Sequence, residues 1–318
     1  MNHLQEHDTW GVIDPSKMQS YMDCARHYFF EYILGWRREE PNVHLVYGTA
    51  AHLALEHLLL NGYDADSIME AYYLFEAEYR KVFPEEMDDI NSPKIPANFL
   101  FALPEYANMY KHEDAQAEVL ATEIAGTVYI GDDKPMRFRM DSIIKDHLGI
   151  HSLEHKTVGR GITSAWTNQW RQKMQVGTYS HVLYCMYEED EVFGVVMNAL
   201  CIKNPPKRAN AKGNEYMRIP IRKSIRQMED WLATANFWYD SIVRDTDAVT
   251  HVSEDDPVMK CFPKNTESCS KYFGCPFMNY CEAWSNPIQH LGNMPAGFNV
   301  DFWDPRTLEE NAKKKVSL

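Results

Sequence analysis

The sequence predicts an α/β protein: a mixed β-sheet core flanked by helices, with an N-terminal helical region and a C-terminal cysteine cluster. Three observations predict it. Apolar residues recur at helical spacing through the first third of the chain. The middle third changes to the strand pattern, alternating runs broken at glycine-containing turns. Four of the seven cysteines fall within residues 261–281. No Gly/Ser-rich linker, repeat or low-complexity tract interrupts the 318 residues, so the whole chain, 1–318, is expected to form a single domain. Within it, 16–112 make the helical region, 116–204 the core, and 224–285 the last helix and the cysteines.

In order, Ser16 with Gln19 reads as a capping box ahead of Met18, Tyr21, Met22, Ala25, Tyr28 and Phe29 at helical spacing, and Gly35 stops the run. That stripe reads as core rather than as a surface for DNA bases. A second helix over 48–60 carries His52 and Glu56 on one face and ends at Asn61 and Gly62. A third over 65–83 stops at Pro84, the acidic run 84–96 reads as a loop, and another helix follows Pro104. Strands are expected at 118–130, 137–145 and 150–156, the last two forming a hairpin turned through 147–149. A long helix over 164–187, a strand over 191–202 and a helix over 225–244 follow. The central order is β-β-β-α-β, which suits a mixed sheet covered by helices.

The hairpin carries the chemistry. Glu154 follows Asp141 by thirteen residues, and pairing the two strands brings the carboxylates side by side. Clustered carboxylates repel each other and lose hydration, and a divalent cation with a preference for oxygen ligands relieves both costs. Side chains alternate along a strand, so Glu154 and Lys156 share a face while the His155 carbonyl can turn toward the same metal. Lys156 can then orient or deprotonate an attacking water.

This arrangement resembles the PD-(D/E)XK nuclease superfamily. Gly48, His52 and Glu56 match the G-x-x-x-H-x-x-x-E signature of its RecB-like branch, and Gln175 and Tyr179 match its Q-x-x-x-Y helix. Met140 stands where the family's proline is found. The resemblance covers residues 16–285. It implies a metal-dependent deoxyribonuclease, an exonuclease acting in recombination, phage replication or CRISPR adaptation, similar to CRISPR-associated adaptation nucleases and phage-encoded exonucleases. By the same resemblance His52, Asp141, Glu154 and the His155 carbonyl hold one or two magnesium or manganese ions, the imidazole favouring manganese. Lys156 positions the nucleophile, Gln175 and Tyr179 hold the scissile strand or the lysine, and Glu56 orients His52. A non-catalytic DNA-binding or assembly subunit with the same fold is the alternative.

The cysteine count is odd and no signal-peptide pattern opens the chain, which favours a metal centre over a disulfide framework. In iron-sulfur members of the RecB-like branch one N-terminal and three C-terminal cysteines hold a 4Fe-4S cluster. The resemblance implies Cys24, Cys269, Cys275 and Cys281 as those ligands. Structural zinc and the replacement of Cys24 by Cys261 both remain open. Cys185 and Cys201 read as small apolar residues.

A net charge of -14 and a pI near 5.4 repel phosphate at long range. Locally the balance reverses. Residues 203–226 hold eight basic side chains, Lys207, Arg208 and Lys212 among them, against one acid, Glu215. Residues 156–173 hold Lys156, Arg160, Arg171 and Lys173 with no acid. The segment 205–214 reads equally as a solvated hairpin loop, and Trp166 with Trp170 as a stacking surface for unpaired bases or as core. The expected substrate is DNA, single-stranded or with a free end. With no helicase P-loop in the chain, unwinding would fall to a helicase, recombination or CRISPR partner. The longest apolar stretch, 192–202, is interrupted by Asn198 and falls short of the ~20 residues of a membrane span, so a cytoplasmic location is expected.

Overall fold

The computed structural model of the chain describes residues 4–206, 212–271, 274–310 and 312–318. Its strands are β1 (Trp36–Arg38), β2 (Glu118–Tyr129), β3 (Pro135–Asp146), β4 (Gly149–Thr157), β5 (Val192–Cys201), β6 (Glu215–Ile221), β7 (Phe298–Val300) and β8 (Lys314–Ser317). Six of them form one sheet in the order β6-β5-β4-β3-β2-β8, and β1 pairs with β7 in a separate antiparallel ribbon. The β3–β4 and β5–β6 pairs are antiparallel and the β4–β5 pair is parallel, so the sheet is mixed and flanked by helices, as expected. Parallel neighbours need a crossover. The helices of residues 164–186 supply it between β4 and β5.

Packing divides the chain into two compact units: Met1–Glu40 with Ala125–Phe138 and Ser224–Leu318, and Pro41–Ile124 with Arg139–Lys223. The second unit holds the hairpin. Its helices Val43–Asn61, Ala65–Arg80 and Pro96–Asp114 bury Tyr47, Phe75, Tyr79, Phe99 and Tyr106 together with Leu200 of β5 and Ile202 just beyond it. Phe75 and Phe99 stack with centroids 3.9 Å apart. Gly149 turns the hairpin at φ +112°, where a Cβ would lie 2.6 Å from the Glu191 carbonyl oxygen, so the position requires glycine.

The first unit contains Pro15–Asp23, the 25-residue helix Ile225–Val249, the β1–β7 ribbon and the cysteine segment. Tyr21 joins its two main helices by donating to the Asp245 carboxylate at 2.7 Å. Met18, Tyr21, Ala25, Tyr28 and Phe29 are all buried, which makes the N-terminal stripe core.

Several boundaries differ from the sequence reading. The first helix is capped by Asp14, whose carboxylate accepts the Lys17 N–H at 2.7 Å, and not by Ser16. It breaks at Cys24, an extended residue, and resumes as Ala25–Tyr28 followed by a π-turn over Phe29–Ile33. Pro104 lies inside helix Pro96–Asp114 instead of before a helix. Its missing N–H costs one hydrogen bond. Burial of Phe99, Leu103, Tyr106 and Tyr110 on one side carries the helix through. The acidic run holds two short turns, Glu85–Met87 and Asp88–Asn91. The helix expected over 164–187 is two: Ser164–Gln169 and a 3-10 turn Trp170–Gln172, then Met174–Met186 after an extended Lys173. Strand β6 and the ribbon strands were not foreseen. Among the described residues no helix is long and apolar enough to cross a membrane.

Candidate active site

The β3–β4 register pairs Ser142 with Leu153, which sets Asp141 and Glu154 across from each other one step further along. The Asp141 N–H donates to Glu154 Oε1 at 3.2 Å, and the His155 N–H donates to Asp141 Oδ2 at 2.8 Å. Helix Val43–Asn61, started by the Asn42 cap, brings His52 to the same place. Its Nδ1 lies 3.3 Å from Asp141 Oδ1, and its Nε2 donates to the His155 carbonyl at 2.9 Å. Glu56, one turn on, is buried beside it in the same helix. From helix Met174–Met186, Gln175 Nε2 donates to Glu154 Oε2 at 3.5 Å and to the Tyr179 hydroxyl at 3.1 Å, and that hydroxyl donates to the Arg139 carbonyl. Gln175 and Tyr179 therefore reach the Glu154 carboxylate and the β3 backbone.

Burial sets the electrostatics. Glu154 is 1% exposed, and burial together with the neighbouring Asp141 charge pushes its pKa well up. Burial acts on Asp141 in the same sense, but the His52 ring and Lys156 outweigh it and hold Asp141 well below the usual carboxylate range. One carboxylate of the pair is thus ionised while its neighbour resists ionisation for want of positive charge. The pair fits a divalent cation on that account: two carboxylates, a backbone carbonyl and one imidazole are the donor set for magnesium or manganese. Among the described residues no group of three or more His, Cys, Asp or Glu side chains is already gathered to hold an ion, and His52, Asp141 and Glu154 meet in pairs.

The His155 ring points elsewhere. Asn198 Nδ2 lies 2.8 Å from its Nδ1, and burial pushes its pKa down to about 3, so this imidazole is neutral; it meets the His52 ring edge to face with centroids 5.8 Å apart, while the His155 carbonyl accepts from His52 Nε2. Lys156 is half-buried with Nζ 5.8 Å from the Trp170 ring centroid. Two neighbours, Ser152 and Lys94, escaped the sequence reading, and the contact of Trp170 with Lys156 was not foreseen. Ser152 Oγ donates to Glu154 Oε1, a contact the two-residue spacing on one strand face would have signalled. Trp170 meets Lys156 from the 3-10 turn that precedes the extended Lys173. Lys94, buried, with its pKa pushed down to about 8 by that burial, donates to Thr157 Oγ1 at 3.3 Å, a long-range contact with no sequence signal.

In the other unit all four proposed cluster cysteines are free and half-buried. The Asn265 N–H donates to Cys24 Sγ at 3.4 Å, the Cys275 N–H donates to the Cys269 carbonyl at 2.8 Å, and His27 Nδ1 lies 3.4 Å from Cys275 Sγ. Burial and the proximity of Cys275 and Cys24 raise the pKa of Cys269, whereas at Cys275 burial is outweighed by the His27 contact and the pKa falls. Cys261 is buried at 6% exposure, and burial with the nearby Asp245 charge lifts its thiol to about 11. Cys201, the last residue of β5, is buried with Val158 and Ala199, and Cys185 is exposed.

Of the proposed phosphate contacts, Lys207 and Arg208 lie outside the described residues, and Lys212, Arg160 and Arg171 are exposed while Lys173 is half-buried. Other cations of that stripe are engaged within the fold. Lys203 pairs with Glu215, Arg218 with Asp114 and Glu113, and Lys223 Nζ donates to the Arg171 carbonyl at 2.9 Å.

The sequence profile of the PD-(D/E)XK nuclease superfamily matches residues 13–282, and the chain belongs to that superfamily. Its members are typically metal-dependent nucleases, and the fold implies a DNA substrate. No curated protein matches the chain. A solved structure titled "Crystal structure of SSO0001" is 15% identical, covering 74% of this chain and 95% of that one with a TM-score of 0.28, a likeness that carries no argument.

Proposed function

We propose that the chain is a divalent-metal deoxyribonuclease of the RecB-like branch, an exonuclease, with its catalytic set at His52, Asp141, Glu154, Lys156, Gln175 and Tyr179. The observation that carries the proposal is the convergence on one carboxylate pair of a histidine from helix Val43–Asn61 and a glutamine from helix Met174–Met186. A bound magnesium or manganese ion would polarise the scissile phosphate and lower the pKa of a water nucleophile. Asp141, Glu154, His52 and the His155 carbonyl would hold it. Lys156, on the Glu154 face of β4, orients the attacking water and offsets charge as it develops on the phosphate. Gln175 fixes the Glu154 carboxylate and Tyr179 ties the same helix to β3.

In the same reading Cys24, Cys269, Cys275 and Cys281 carry a 4Fe-4S cluster. What supports it is four free, half-buried thiols in one unit, brought there from both chain ends, with Cys261 more deeply buried than any of them. End-labelled single- and double-stranded DNA incubated with manganese and sampled over time tests the nuclease. A product ladder growing from one terminus supports an exonuclease, internal cuts make the enzyme an endonuclease, and no manganese-dependent product rejects the proposal.

A further inference from the structure

The segment between β4 and helix Met174–Met186 carries two tryptophans to which the proposed reaction gives no role. Thr163 starts the short helix Ser164–Gln169 by accepting the Trp166 N–H at 3.2 Å, and the following 3-10 turn carries Trp170. Lys223 pins that turn through the Arg171 carbonyl. The indoles meet edge to face, with centroids 5.4 Å apart and planes at 72°. Trp166 rests on Val158, Ala199 and Cys201, yet both rings are only half-buried. Residues 163–165, 168, 171 and 172 around them are exposed, an unusual setting for a core pair.

The pair adjoins the reacting centre. Lys156 Nζ lies over the Trp170 ring at 5.8 Å from its centroid, within cation–π range, and Lys156 shares a strand with Glu154. Residues 156–173 add Arg160, Arg171 and Lys173 without one acid. Cations alone hold the backbone of any DNA. Indoles add something only for a base whose face is uncovered, and in a duplex neighbouring pairs cover it.

We propose that Trp166 and Trp170 form a stacking platform for an unpaired base next to the phosphate at Lys156, so that the substrate is single-stranded DNA or a frayed end. The inference rests on the nuclease reading and narrows its substrate. Fluorescence anisotropy in EDTA, where nothing is cut, tests it on the full chain with three labelled probes: a single-stranded oligonucleotide, a strand of the same length made of abasic sites, and a blunt duplex. The wild type is expected to bind the base-bearing strand roughly tenfold or more tighter than the abasic strand. Trp166→Ala should erase that difference and leave duplex affinity unchanged, while Trp166→Phe keeps most of it. Equal binding of base-bearing and abasic strands by the wild type overturns the proposal without recourse to any variant. Equal losses by Trp166→Ala on strand and duplex overturn it too, because they mark a structural role. If either happens while manganese-dependent cleavage persists, the nuclease reading stands alone. If the wild type neither binds nor cuts DNA, both readings fall.

Discussion

Three donors converge on the Glu154 carboxylate: the Ser152 hydroxyl, the Asp141 N–H and the Gln175 amide. A buried carboxylate so held presents one geometry, which is what a metal ligand requires. Asp141→Ala, Glu154→Ala and Lys156→Ala should each abolish cleavage while DNA binding survives, because these groups act on the transition state more than on bound substrate. His52→Ala should be milder and partly restored by high manganese in the same cleavage assay, and rescue that never comes would remove the histidine from the ligand set. Gln175→Ala tests orientation. Its loss should lower kcat by about 10- to 100-fold with KM unchanged, since outer partners of metal ligands have effects of that size. A rise in KM at constant kcat would instead put Gln175 on the DNA.

At the scale of elements, spacing made some of this legible. His52 with Glu56 and Gln175 with Tyr179 are separated by four residues, so each pair had to share a helix face, and hairpin pairing had to set Asp141 beside Glu154. Proximity beyond one element was harder to see. Nothing in Lys314–Ser317 advertises a strand, because β8 depends on a gap in another: Gly126 lacks the Cβ that would sit 1.8 Å from the Val316 carbonyl oxygen. Composition does not tell which cations of the basic stripe are engaged within the fold. Arg218 on β6 is one of its eight cations, but its side chain is 9% exposed and makes bonds of 2.5 and 2.8 Å to Asp114, whose side chain is 2% exposed in helix Pro96–Asp114. Arg218→Ala would leave that carboxylate buried without its partner, at a cost of about 3–5 kcal/mol in urea denaturation. Replacing Arg218 and Asp114 together by apolar residues of similar volume should cost much less. Equal losses in the single and double variants would show that the pair contributes packing alone.

For the whole molecule, the chain interleaves its units, and the sequence could not reveal that because no linker marks the crossings. Residues 41–124 and 139–223 fold into one unit, while the other joins both chain ends with residues 125–138. Cys24 and Cys269 are 245 residues apart in sequence yet belong to the same unit. A cluster joining them would close a very long loop, and cross-links across long loops remove the most entropy from the unfolded chain. The protein purified without oxygen should therefore be brown, contain iron and sulfide, and absorb broadly in the visible. Alanine at Cys24, Cys269, Cys275 or Cys281 should bleach it and lower the temperature of unfolding, because binding of the cluster is coupled to folding. Cys185→Ala and Cys201→Ala should keep the colour. Cys261→Ala decides the remaining ligand question: its thiol is buried with a raised pKa, so colour should survive there as well, and bleaching at Cys261 with none at Cys24 would exchange their roles. Stoichiometric zinc without iron would reject the cluster and leave the same four thiols as a structural zinc site.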